Sequence, residues 1–297
     1  MGVSGLRAGV YLEWKAVGDT SHAVVRRYLA EQPAGTRQLK VMHGGALDPF
    51  AQGLLPILVG PMVRCFPLLH ALPKVYRATV AWGTETDTGD AQGQVVASRA
   101  PPAGTKEQLD AVLRQQLGWR DQVPEAFSNQ RIGGERAWEK ARRGEAVTLA
   151  PRRVYLHRAS WSAHGEGTSE LELECLGGYY VRALARDLGR ALGSAAHLRS
   201  LTRVSIGAWT RPPGGPAPFH PLDEALPWLE VRVLTDEELG RLRKGDVLEI
   251  QKTRGASWRV PQPQEVRHVA LQHLNHIVGI AERTGPTLSP VTLWSAR

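Results

Sequence analysis

Cysteine is scarce in this chain. Two residues, Cys65 and Cys175, stand far apart and without metal-ligand spacing, which fits a reducing compartment and two buried small hydrophobes rather than a disulfide framework. Ten histidines are scattered and form neither an HExxH pattern nor a Cys/His cluster, so a metal site is not expected. No apolar run approaches the ~20 residues a membrane helix needs. The start, "MGVSGLRAGVYLEWK", lacks the apolar core of a signal peptide, so no targeting segment and a cytoplasmic location are expected. There is no internal repeat and no long low-complexity tract. Acidic residues are also short: 29 Asp and Glu face 37 Lys and Arg, a net charge of +8 with a pI near 9.8. Such an excess favours a polyanionic partner, with nucleic acid ahead of a membrane surface. With 297 residues, 42% of them hydrophobic, the chain suffices for one large domain, or a large one plus a small one, around a sizeable core.

What is present reads as a mixture of strands and helices. Residues 9–16 predict a strand, and Thr20-Ser21 can cap a helix through "HAVVRRYLAEQ", with Val24, Val25, Tyr28 and Leu29 on one face. "KVYRATVAWG" alternates, Tyr76, Ala78, Val80 and Trp82 against Arg77 and Thr79, as a half-buried strand does. "TDTGDAQG" is a turn in which Asp87 and Asp90 can bond their own backbone. "TKEQLDAVLRQQLG" opens on a capping box of Thr105 and Gln108 and predicts a helix running to Gly118. "GERAWEKARRG" predicts a short basic helix, and "RVYLHRASW" and "SELELECLG" two strands. "YYVRALARDLGRALG" puts Val181, Leu184, Ala185, Leu188 and Leu192 on one stripe that Gly193 stops. A second capping box, Thr235 and Glu238, precedes short apolar runs around "SWRV", "EVRHVAL" and "HIVGIAE", which suggest a small β-rich unit.

The stretch "HGGALDPFAQGLLPILVG" holds a single acid, Asp48, in a glycine-rich bend before an apolar run broken by Pro56. An Asp beside Pro and Gly commonly makes a local turn bond. A carboxylate nucleophile needs more: a fixed bend, shielding from water and a nearby cation. Arg182, near the start of the amphipathic helix, has no acid at i−4 or i−3, so it is either a snorkelling surface residue or the partner of a distant carboxylate such as Asp48. His43 could stack on a base or be an ordinary half-buried histidine. Tyr76 could be core or face a cleft.

Taken together, "KAVGDTS", "HGGALDPFAQGLLPILVG", "KVYRATVAWGTETDTGDAQG", "VPEAFSNQRIGGERAWEKARRGEAV" and "GGYYVRALARDLGRALGSAAHLRSLTRVSIGAW" resemble, in order and spacing, the motifs of the TruB family of tRNA pseudouridine synthases. The resemblance runs from about Gly9 to Trp209 and continues more weakly through "RLRKGDVL" and "HIVGIAE", which look like the family's C-terminal PUA-type RNA-binding domain. It implies a mixed α/β (α+β) catalytic domain around a largely antiparallel sheet, residues 1–229, and a small β-rich PUA-like domain, residues 230–297. It implies isomerisation of uridine-55 in the T loop of tRNA to pseudouridine by base flipping. Asp48 falls on the family's catalytic aspartate and Arg182 on the arginine that pairs with it. Tyr76 falls on the tyrosine that packs against the flipped uracil and can assist proton removal. His43 falls on the histidine that helps splay out the base, and Tyr180 and Leu201 on two further pocket residues. The implied partner is tRNA through its T arm, with no membrane, no obligate protein partner, no metal and no cofactor.

The chain also departs from the pattern. Gly44 and Ala46 replace two threonines, Ala16 follows Lys15 where proline is usual, and "GPMVR" ends the glycine-rich block where alanine, threonine and lysine are common. "PEAFSNQR" stands where a more apolar, proline-led stretch ending in lysine is usual. These changes bear on the fit of the RNA loop more than on the chemistry. "RPPGGPAPFHP", residues 211–221, has linker composition and is expected to be a surface loop, since the resemblance sets the boundary near residue 230. Two other readings remain: a non-catalytic RNA-binding or tRNA-folding protein using the same cleft, and a carboxylate-dependent hydrolase such as a glycosidase. The latter needs a second acid beside Asp48, and only Asp87 and Asp90 suggest themselves.

Overall fold

The computed structural model of the chain describes residues 7–33, 39–211, 214–215, 217–250, 252–256 and 267–294. The run "SWRV" and most of residues 1–8, on which the absence of a targeting segment was argued, lie outside them. A ten-stranded sheet dominates. Its path runs Phe219–Pro221, Gly9–Lys15, Gln52–Val59, Ala196–Ile206, Lys74–Trp82, Thr168–Cys175, Arg152–Gly165 and Gly118–Gln122. Trp209–Thr210 pairs with Ala196–Ile206, and Val41–His43 with Gln52–Val59. Every pairing is antiparallel except that of Gln52–Val59 with Ala196–Ile206, so the mixed, largely antiparallel architecture expected from the resemblance is present. A five-stranded sheet follows in the order Glu230–Val233, His268–His273, His276–Thr284, Thr287–Leu293 and Leu248–Glu249.

The alternation in Lys74–Trp82 becomes one buried face, Tyr76, Ala78, Val80 and Trp82. The helix Val181–Ala191 lays Val181, Leu184, Ala185 and Leu188 into the same cluster. The apolar run Gln52–Val59 is buried on both faces. Leu54 and Leu58 join a cluster with Val10, Leu12 and Met62, whereas Leu55, Ile57 and Val59 pack under Val24, Val25 and Tyr28 of the helix Ser21–Ala30. Strands covered on both sides read as continuous apolar sequence, which is why no alternation shows there.

Pro56 does not break this strand. Its carbonyl accepts from the Gly44 N–H at 2.7 Å on the side where it lacks an N–H of its own. That position falls between the register of the parallel partner, at Gln52 and Gly53, and that of Val41–His43, which starts at Ile57. The helix opened by Thr105 ends at Arg114 rather than running to Gly118, and Gly118, at φ +86°, instead starts the outer strand Gly118–Gln122. The tract 211–221 is not wholly a loop. Phe219–Pro221 forms an outer strand against Gly9–Tyr11, where the Phe219 ring lies 4.5 Å from that of Tyr11 and an edge position tolerates Pro221. Among the described residues, no helix is long and apolar enough to cross a membrane.

Candidate active site

The bend that carries Asp48 links Val41–His43 to Gln52–Val59, at the middle of the large sheet. Its shape requires glycine at Gly53. At φ +123°, a Cβ there would lie 2.3 Å from the Arg203 carbonyl oxygen. The rest of the bend is held through its peptide groups. Ser21 Oγ accepts from the Leu47 N–H at 2.9 Å and donates to the Leu47 carbonyl at 3.2 Å. Arg203, fully buried, donates to the carbonyls of Gly45 at 2.9 Å, Ala46 at 3.2 Å and Leu54 at 2.9 Å. Lys15, also fully buried, donates to Ala16, Pro49 and Ala51 carbonyls at 2.9, 3.3 and 2.6 Å. Burial pushes the Lys15 ammonium down to about 8, against the opposing pull of Asp19 and Asp48. Two cations thus underlie a bend whose carbonyls point inward, and Asp48 is left to present its side chain.

Arg182 meets that side chain. Its Nε donates to Asp48 Oδ2 at 2.9 Å, its Nη2 to the Phe127 carbonyl at 3.0 Å, and its Nη1 to the Thr88 carbonyl. The buried member of the pair is the arginine, 4% exposed, and the carboxylate is 38% exposed. Three acceptors fix the guanidinium, and among the described residues the carboxylate's other oxygen, at the cleft wall, has no hydrogen-bond partner. That cleft, about 580 Å³, is lined by His43, Ala46, Asp48, Phe127, Trp138 and Arg182 among others, with Arg142 stacked 4.8 Å over the Trp138 ring. Burial, and then the nearby Arg203 charge, hold His43 below the ordinary histidine range, so its ring is neutral near pH 7.

Of the residues predicted from sequence, the structure brings His43, Asp48 and Arg182 to the wall of one cleft. Tyr76, Tyr180 and Leu201 do not line it. Tyr76 and Leu201 lie in the buried cluster that also holds the cleft-lining Leu47, and burial pushes the Tyr76 hydroxyl up to about 12. Tyr180 caps the helix Val181–Ala191: Gln122 grips both its peptide groups, at 2.8 and 3.0 Å, and its hydroxyl accepts from Gln130 at 2.6 Å. Asp87 and Asp90 are turn formers, as expected. Asp87 Oδ1 accepts from the Gln94 N–H at 2.8 Å, and Asp90 Oδ1 from the Gln92 N–H and the Thr88 hydroxyl, both at 2.9 Å. Asp90 reaches the cleft wall, but its carboxylate is engaged in holding the turn, which removes the second acid a glycosidase needs. Sequence reasoning missed Arg203, whose only signal was an arginine inside the run "LTRVSI".

A family model described as TruB family pseudouridylate synthase (N terminal domain) matches residues 32–181. The chain is 40% identical over 228 residues to a Rhodopseudomonas palustris protein named tRNA pseudouridine synthase B, covering 75% of this chain and 57% of that protein. A Caulobacter protein of the same name is 32% identical over 285 residues, 91% of this chain and 89% of its own length. The fold is similar to a chain in the crystal structure of a Cbf5-Nop10-Gar1 complex, with a TM-score of 0.67 over 98% of this chain and 86% of that one; at 18% identity the likeness is one of fold. By the matched family model and these relatives, the chain belongs to the TruB family of pseudouridylate synthases.

Proposed function

We propose that the protein is a tRNA pseudouridine synthase that isomerises uridine-55 in the T loop, in the cytoplasm and without an obligate protein partner. The observation that carries this reading is the half-exposed Asp48 carboxylate, held by a buried arginine at the wall of a cleft. The relatives' shared name and the excess of 37 basic over 29 acidic residues support an RNA substrate.

In this reaction the C1′–N1 bond breaks, the sugar rejoins the base at C5, the C5 hydrogen leaves as a proton and N1 gains one. The uracil must leave the stack first, which costs less from a loop than from a duplex. His43, planar and neutral, fits the place of a residue that stacks beside the vacated position. Asp48 acts at the sugar, by attack at C1′ or by taking a sugar proton. Arg182 keeps its carboxylate in one orientation, so the reacting oxygen is placed before the substrate arrives. Tyr76 and Leu201 back the cleft wall from the buried cluster behind Leu47. Tyr180 fixes the helix start from which Arg182 projects. Residues 230–297 form an RNA-binding, PUA-like unit in this reading.

The test uses unmodified tRNA transcript tritiated at uridine C5. Stoichiometric release of tritium from the T-loop uridine is expected from the purified protein alone, unaffected by EDTA. Tight tRNA binding with no release would favour a non-catalytic RNA binder instead.

A further inference from the structure

"PEAFSNQR", which stands where the family pattern is more apolar, contains a buried charge. Glu125 is 8% exposed. Its Oε1 accepts from Arg186 Nη1 at 2.6 Å, and Arg186 Nη2 donates to the Val123 carbonyl at 2.9 Å. Asp187 Oδ1 holds the other edge of the same guanidinium at 2.8 and 3.0 Å. Arg186 lies one helical turn beyond Arg182, so the two arginines project from the same face. Arg186 therefore grips the segment at Val123 and Glu125, and Arg182 grips it at the Phe127 carbonyl.

Glu125 also packs beside the turn that carries the second neutral acceptor of Arg182. That acceptor is the Thr88 carbonyl, and a Cβ on the following residue, Gly89, would lie 3.0 Å from Glu125 Cγ and 3.1 Å from Arg182 Cβ. The Glu125 side chain thus links its own segment, which supplies the Phe127 carbonyl, to the turn that supplies the Thr88 carbonyl. Burial raises the Glu125 carboxyl above its ordinary range, while the positive charges of Arg186 and Arg182 draw it back. Both guanidiniums favour its charged form, which Arg186 Nη1 holds through Oε1, while its Cγ lies beside Gly89.

We propose that Glu125 is a positioning residue: through Arg186 and the Thr88–Gly89 turn it fixes the orientation of Arg182, and so the direction in which Asp48 presents its free oxygen. This rests on the function proposed above. It assigns a role to a residue that touches neither substrate nor reacting atoms.

The experiment compares wild type, Glu125→Gln, Arg182→Lys and the double variant. Three quantities are read: the single-turnover rate of pseudouridine formation at saturating enzyme, tRNA affinity and thermal unfolding. Glu125→Gln keeps volume and an acceptor but removes the charge. Its rate should fall about tenfold, with tRNA affinity within about twofold of wild type. In the Arg182→Lys background the same change should cost less than about twofold, because the arrangement it braces is already lost. A Glu125→Gln rate within about twofold of wild type would overturn the proposal. So would a loss of equal size in both backgrounds, which marks general loosening of the fold. Should Glu125→Gln fail to fold, Glu125→Asp, which keeps the charge and withdraws it by one methylene, decides on the same readings. A wild-type protein that forms no pseudouridine would overturn the proposed function itself, whereas an active wild type with an unaffected variant overturns only the role of Glu125.

Discussion

Asp48 and Arg182 meet across 134 positions of sequence through one hydrogen bond, Nε to Oδ2. Asp48→Asn preserves size and removes the charge that the proposed function places at the sugar. Pseudouridine formation should fall by at least about three orders of magnitude while tRNA affinity stays within a few-fold, read by tritium release and filter binding. Arg182→Lys should also lose roughly a hundredfold or more, since one ammonium cannot serve Asp48, Thr88 and Phe127 in the fixed directions of a guanidinium. Lys74 gives a residue-scale prediction about stability. It donates to the carbonyls of Leu69, His70 and Leu72 at 3.4, 2.9 and 2.7 Å, and burial pushes its ammonium down to about 7 from 10.5. The folded value is the lower one, so between these pH values the unfolded chain binds more protons and stability rises with pH. Compared with Lys74→Met, wild type should gain stability from about pH 7 to about pH 10, measured by denaturant midpoints. A difference that is flat across this window would mean that Lys74 titrates in the fold as it does in the unfolded chain.

The strand Gln52–Val59 is the element on which the site depends. It is buried on both faces, it starts where the bend ends, and at Gln52 and Gly53 it makes the sheet's parallel contact with Thr202 and Arg203. That contact brings the Arg203 side chain under the bend and its backbone against Gly53. Gly53→Ala places a methyl group 2.3 Å from the Arg203 carbonyl oxygen and 2.7 Å from its nitrogen, both backbone atoms with little freedom to yield. The cost should be about 3 kcal/mol or more. A fall in Tm on the order of 6 °C or more follows for a chain of this size. Calorimetry showing an unchanged Tm would mean the two strands sit farther apart than described. By contrast, Gly44, whose Cβ would meet only side-chain atoms at 3.1 Å and beyond, should tolerate alanine far better.

At the scale of the whole molecule, the two sheets share a core. Ala270, Ile277, Ile280 and Trp294 of the C-terminal segment belong to the cluster that contains Val10, Leu12, Leu54 and Trp228. Polar contacts accompany it. Asp223 accepts from the Ile277 N–H at 2.6 Å, and Arg64 donates to the Leu293 carbonyl at 3.1 Å. Cutting the chain at residue 230 therefore takes away part of a core shared with the large sheet. Each large buried side chain contributes about 1.5–3 kcal/mol, and a protein of this kind is stable by about 5–15 kcal/mol in all. Loss of Ile277, Ile280 and Trp294 should leave residues 1–229 with a Tm lowered by about 10 °C or more and with increased binding of a hydrophobic dye. A truncated chain with wild-type Tm would show that this apolar contact contributes little.

The sequence by itself determined what is periodic or local. The alternation of Lys74–Trp82, the apolar stripe of Val181–Ala191, and the side-chain caps at Thr20 and Thr235 each depend on residues within a few positions of one another. The ordered motif blocks marked Asp48, Arg182 and His43 as candidates, and these three meet at one cleft. What the tertiary structure alone decided is which distant group each polar side chain finds. Nothing in "LTRVSI" states that Arg203 lies beneath Gly45 and Ala46, and nothing in "PEAF" states that Glu125 faces Arg186. The same holds for "PFHP", whose composition suggests a loop until Gly9–Tyr11 provides a strand to pair with, and for Arg182, which is buried although its local sequence allows a surface residue. Periodicity records only whether a position faces apolar surroundings. A buried charge or an edge strand is stable only through partners that other segments bring, and chain folding, not local spacing, puts those partners in place.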